Sequence, residues 1–157
     1  ESAQSRALQW LAKQDEKRIS VGEMSKLVQL YSLVVLYYST GGDVSWKRQY
    51  NFLSSQHECG WKSDSNDTKI NGIEQCNASK EPTVIALWAD GLSGTIPTEI
   101  GHLTSLNKLY LYQNKLTGKI PTDIGRLTSL TELHLDQNEL SETIPSEIGY
   151  LNSLTLL

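Results

Sequence analysis

Three histidines, two cysteines and a column of carboxylates are the side chains here whose types and spacing invite a search for chemistry. His57, His102 and His134 are dispersed, and none has a nucleophile or a second ligand at a useful interval. Zinc wants four ligands, and Cys59 and Cys76 have only His57 near them, so a disulfide is the better reading of the pair. Glu99, Asp123 and Glu147 recur every 24 residues, each two residues after a proline. A ladder of calcium ligands is one interpretation of that column. The preferred one is that each carboxylate opens a helical turn, where the dipole favours negative charge, with Arg126 three residues beyond Asp123 and able to pair with it. Every repeated glycine is explained by a turn and none by a phosphate loop. The expectation is a non-enzymatic chain without cofactor or metal.

The elements that position these residues repeat. Leu106, Leu109, Leu111, Asn114, Leu116, Ile120, Pro121, Ile124, Gly125 and Leu127 return 24 positions later, from Leu130 to Leu151, and the same interval backwards reaches Pro82 to Leu103. Alternation in Leu109-Tyr110-Leu111-Tyr112 puts leucines inward and tyrosines outward on a short strand, so successive copies should stack a parallel sheet. Asn114 and Asn138 sit where the chain bends away, and their donor and acceptor can satisfy neighbouring coils. Asp90 keeps only the acceptor half when ionised. Gly94 and Gly118 permit a positive φ that would strain Glu142, their counterpart in the next copy. Pro97, Pro121 and Pro145 suit the outer side of a coil. One copy alone cannot bury its leucines, so stacking closes the core.

This pattern falls within the period range of leucine-rich repeats, and its Ile-Pro half resembles the plant type of that family. The fold expected is α/β: a right-handed solenoid with a parallel concave sheet and a helical, disulfide-bonded N-terminal cap. We divide the chain into a cap, 1–81, and repeats at 82–105, 106–129 and 130–153, with a partial fourth copy at 154–157.

In the cap, Ser2 to Gln14 reads as an amphipathic helix with Ala3, Ala7, Leu8 and Leu11 on one side and Trp10 flanking. Ser20 three residues before Glu23 is a capping-box signature for a second helix, which is apolar around more than one face and ends at Gly41-Gly42. Beyond it, Tyr37 to Asp43 with Trp46, then Cys59-Gly60-Trp61 and Gly72-Ile73 before Cys76, resembles the N-terminal cap of plant-type leucine-rich-repeat proteins and is similar to repeat proteins of diatoms and related algae. In that family this stretch is disulfide-bonded. The polar insert Lys62 to Asn71 departs from the pattern.

A net charge of −4, without a run of Lys or Arg, argues against nucleic-acid and anionic-membrane binding. The most apolar run, Leu27 to Tyr38, is shorter than the roughly 20 residues that cross a bilayer. Both ends read as cuts, with no initiating methionine or leader and apolar residues at the C-terminus, so the expectation is a fragment anchored, if at all, through a segment outside it. A disulfide requires an oxidising compartment, and Asn66-Asp67-Thr68 and Asn77-Ala78-Ser79 are glycosylation sequons. Both point to the cell exterior.

What remains is surface. Outward strand columns are Ala86, Tyr110, His134; Trp88, Tyr112, Asp136; Ala89, Gln113, Gln137; and Val84, Lys108, Glu132. Exposed aromatics beside mixed charge suit protein recognition. The expected site is a concave strip of Trp88, Tyr110, Tyr112 and His134, rimmed by Lys108, Glu132 and Asp136. The resemblance implies a receptor-like ectodomain binding a protein, a peptide or a glycan. Other family members imply two alternatives, a secreted inhibitor of cell-wall hydrolases and a structural or adhesion protein.

Overall fold

The computed structural model describes residues 1–14, 24–63 and 71–157. The Ser20 to Glu23 capping signature and the Asn66 sequon lie outside them. The first helix, α1, spans Ala3–Ala12, and the Ser2 hydroxyl caps it by accepting from the Ser5 amide at 3.1 Å. Its inward stripe differs from the expected one in one residue. Ala7 is buried and Trp10 and Leu11 pack on the core, but Leu8 is 58% exposed, because the i, i+4, i+7, i+8 face set by Ala3 and Ala7 passes through Trp10 and Leu11. α2 spans Met24–Ser39 and is buried all round from Ser32 to Tyr37. It stops where Gly42 N–H reaches back to Tyr37 O at 2.8 Å, closing the last turn.

Two sheets follow. β1 (Gly72–Cys76) pairs antiparallel with β2 (Pro82–Ala86), and β4 (Lys108–Tyr110) and β6 (Glu132–His134) extend the sheet in parallel. The parallel ladder runs past the formal strand ends: Leu87 N–H reaches Tyr110 O at 2.8 Å and Leu111 N–H reaches His134 O at 2.9 Å. A second parallel sheet of β3 (Ser93–Thr95), β5 (Lys115–Gly118) and β7 (Glu139–Leu140) lies along the flank, and the repeat pattern does not announce it. Short 3-10 helices at Thr98–His102, Thr122–Arg126 and Ser146–Tyr150 close the outer side, each entered through its proline. Glu99, Asp123 and Glu147 stand in their first turns as the dipole interpretation expects, and Asp123 lies 3.6 Å from Arg126. Among the described residues no three His, Cys, Asp or Glu side chains converge as metal ligands.

Leu109, Leu111 and Leu133 are fully buried between the two sheets and the outer turns. Leu135, expected inward with them, is only partly buried, as are Leu140, Ile148 and Leu154 at this end of the core, where Leu151 is buried. The asparagine ladder forms as anticipated. Asn114 Nδ2 donates to Leu87 O at 2.7 Å and Leu111 O at 2.9 Å, and its Oδ1 accepts from the Asp90 and Leu92 amides at 3.1 and 3.0 Å. Asp90 occupies the same place at the cap and reaches no solvent. Its Oδ2 faces the Tyr50 hydroxyl without a hydrogen bond of ordinary geometry, and burial pushes its pKa up to about 6.

Glu142 takes φ +70°, matching Gly118 at +72°, so the strained backbone expected there is present. The strands also end in a left-handed residue at every copy: Ala89, Gln113 and Gln137 have φ of 53°, 56° and 53°. Their column therefore belongs to the turn and not to the strand face. On the outer side, a Cβ built on Gly101 would stand 2.5 Å from Asp123 O, and one on Gly125 would stand 2.6 Å from Glu147 O, so successive outer turns touch through bare backbone.

Within the cap, Cys59–Cys76 ties the segment after α2 to the end of β1, with Cα atoms 6.0 Å apart, and the cap is joined to the coils by main-chain bonds from Lys47 N–H to Asp90 O and Ser93 N–H to Thr40 O at 2.8 and 3.0 Å. No helix of the described residues is long and apolar enough to cross a membrane.

Candidate functional site

Side chains at alternate positions of β4 and β6 leave the core for the concave face, and neighbouring strands about 4.8 Å apart bring them into contact. Trp88 and Tyr112 stack with ring centroids 5.6 Å apart and planes 4° from parallel. His134 meets Tyr110 edge-on at 5.1 Å and Tyr112 at 5.9 Å. The expectation that nothing would cover these rings is corrected: all are half-buried, because the strand spacing is close to the preferred separation of an aromatic pair and each ring shields the next.

The charged residues divide. Lys108 Nζ lies 2.7 Å from Glu132 Oε1, and the Tyr110 hydroxyl donates to Glu132 Oε2. The ammonium beside it, then the phenol, hold the Glu132 carboxyl below its ordinary range, and the same carboxylate raises Lys108. Burial first, then the hydrogen bond it would lose as phenolate, raises Tyr110. Lys108 and Glu132 are therefore an internal pair braced by a tyrosine more than an open rim. Asp136 stands apart and exposed, accepting from the Gln137 side-chain amide at 3.0 Å. Val84 and Ala86, aligned with these columns, are buried and offer no contact.

Trp88, Tyr110, Tyr112 and His134 line a concavity of about 290 Å³. Glu132, Glu74 of β1 and Leu156 complete it. The repeat pattern does not disclose the last two. Glu74 lies at the bulge of an antiparallel strand outside the repeat register, and Leu156 falls in the Lys108–Glu132 column only when the partial fourth copy is counted as a strand position. His134 Nε2 is buried in this cluster with no hydrogen-bond partner among the described residues, a polar atom that a ligand could satisfy. Small size and aromatic walls suit holding a few side chains, since drug-sized ligands need pockets from about 300 Å³ upward.

Residues 83–140 match the leucine-rich repeat family. The ectodomain of the Arabidopsis thaliana receptor kinase SOBIR1 superposes over 83% of this chain and 64% of its own, with a TM-score of 0.52 and 25% identity. The fold is the leucine-rich-repeat solenoid, and its repeats are of the plant type. Among solved structures, PEPR1–AtPEP1 is 31% identical over 62% of this chain and 14% of its own, with a TM-score of 0.53. The plant peptide hormone receptor RGFR1 in complex with RGF2 is 47% identical over 49% of this chain, with a TM-score of 0.48. This chain thus spans only 12 to 14% of the length of those two proteins. No curated protein matches its sequence.

Proposed function

We propose that the concave trough is a protein- or peptide-recognition site on an extracellular, receptor-like and non-enzymatic module, with residues 1–81 as its cap and 82–157 as its first repeats. The observation that carries this is the contact cluster of Trp88, Tyr110, Tyr112 and His134 around one open concavity. Aromatic groups fixed by one another lose little rotamer freedom on binding and serve as anchors. The likeness to the ectodomain of the receptor kinase SOBIR1 supports the receptor-like part. The disulfide supports the extracellular part, as does the exposed side chain of Asn77, in the turn after β1, where a glycan would project into solvent.

The test is to pan a displayed library of random peptides on the chain and titrate the enriched sequences against variants. Trp88→Ala or Tyr112→Ala should weaken binding about 30-fold or more, while Asp123→Ala on the outer side should leave it unchanged. Circular dichroism checks the fold of each variant. Binding that survives both aromatic substitutions and is lost with Asp123 would place the site on the outer face.

A further inference from the structure

The two ends of the trough are chemically unlike. Glu74 on β1 and Leu156 beside β6 are separated by four strand spacings, about 19 Å along the sheet. At the Leu156 end the wall is apolar, and the Glu132 charge beside it is neutralised by Lys108 at 2.7 Å. At the cap end the Glu74 carboxylate takes no ion-pair or hydrogen-bond partner among the described residues, although it lines the same concavity as the stacked Trp88 and Tyr112. Lys108 is spent on Glu132, and among the described residues no Lys or Arg lines the trough, so Glu74 is the uncompensated charge of that lining. An unpaired carboxylate beside aromatic rings attracts a cation twice over, by Coulomb attraction and by the ring quadrupoles.

We propose that the cap end of the trough, formed by Glu74 with Trp88 and Tyr112, is a subsite for a positively charged side chain of the bound peptide. This rests on the recognition site proposed above and adds its selectivity: a lysine or arginine lies toward β1, and the ligand's apolar part lies toward Leu156. An extended segment of about six residues spans the roughly 19 Å at about 3.3 Å each, so both ends can be engaged by one short stretch. The basic head can sit against the carboxylate while its methylene stem lies on the rings.

Acetyl-arginine amide and acetyl-citrulline amide, nearly equal in shape and different in charge, separate this proposal from mere hydrophobic contact. Titrated into the chain and followed through the Trp88 indole and His134 ring signals by NMR, the arginine compound should bind about five- to tenfold more tightly. Glu74→Gln should remove most of that preference, and Glu139→Gln, a carboxylate on the flank sheet, should leave it intact. Equal binding of the two amides, or a preference that survives Glu74→Gln, overturns the subsite. The panned peptides separate this failure from that of the recognition site. Sequences that depend on Tyr112 but carry no basic residue leave the recognition site standing and refute the cationic subsite, whereas sequences indifferent to every concave substitution refute the recognition site itself.

Discussion

In the cap, aromatic side chains from separate stretches meet irregularly: Tyr37, Trp46, Phe52 and Trp61 touch at ring-centroid distances of 5.0 to 5.8 Å and at angles from 15° to 76°. In the coils the same task falls to leucines that superpose by translation, Leu109 on Leu133 across one parallel ladder. Each coil residue is buried by its own copies, so its burial depends on a coil on either side. Cap residues are buried by unlike partners, and no translation along the chain can replace one of them.

Trp61→Ala is the most damaging change expected, because the ring is fully buried and contacts both Trp10 and Phe52. It should cost about 3 to 5 kcal/mol in urea unfolding, and a cost below about 1 kcal/mol would show that the aromatic cluster does not hold the cap. In the coils, Leu111→Ala should cost about 2 to 5 kcal/mol, whereas Leu135→Ala, half-buried at the last coil, should cost less than half as much. Equal losses would break the claim that burial there comes from neighbouring copies.

The same difference decides how much the amino-acid sequence discloses. A 24-residue period exposes every landmark three times, so the inward leucines, the asparagine ladder, the outer prolines and even the strain at Glu142 are legible in the residues alone. The cap is written once. Tyr50, Asn51 and Leu53 all take positive φ without a glycine to signal it, and β1 carries a bulge that hides its alternation. The concave aromatics are legible as positions but not as contacts, since whether Trp88 reaches Tyr112 depends on side-chain angles. Glu74 is illegible for the same reason as β1. The flank sheet escapes notice because Ser93–Thr95 and Lys115–Gly118 carry no apolar alternation of their own.

Two further measurements probe the cap and its seam with the coils. Replacing Cys59 and Cys76 by serine should cost about 3 kcal/mol, from the freedom returned to the unfolded chain, and unfolding of the oxidised and reduced protein measures it. Unchanged stability would mean that the bond adds nothing to cap cohesion. Asp90→Asn should have a smaller effect, of opposite sign. A carboxyl whose folded pKa stands near 6 against 3.8 in the ordinary case holds its proton better when folded, so its contribution falls as pH rises from about 4 to 6 and stays low above that. The asparagine variant should gain about 1 to 3 kcal/mol over the parent at about pH 7.5 and lose that advantage by about pH 3.5. A constant difference across that range would remove Asp90 as the source.

The bare outer contacts at Gly101 and Gly125 bear on the opposite side of the molecule. Strand spacing on the inner face is held by hydrogen bonds and cannot change much, so the separation of the outer turns alone sets the curvature of the arc. Glycine at these two points lets the outer turns close up and keeps the arc shallow. A methyl group there would act as a wedge between Thr98–His102 and Thr122–Arg126, or between Thr122–Arg126 and Ser146–Tyr150, tightening the bend and drawing Trp88 and His134 together across the trough. The shape offered to a ligand is thus governed in part by two residues that no ligand in the trough would touch.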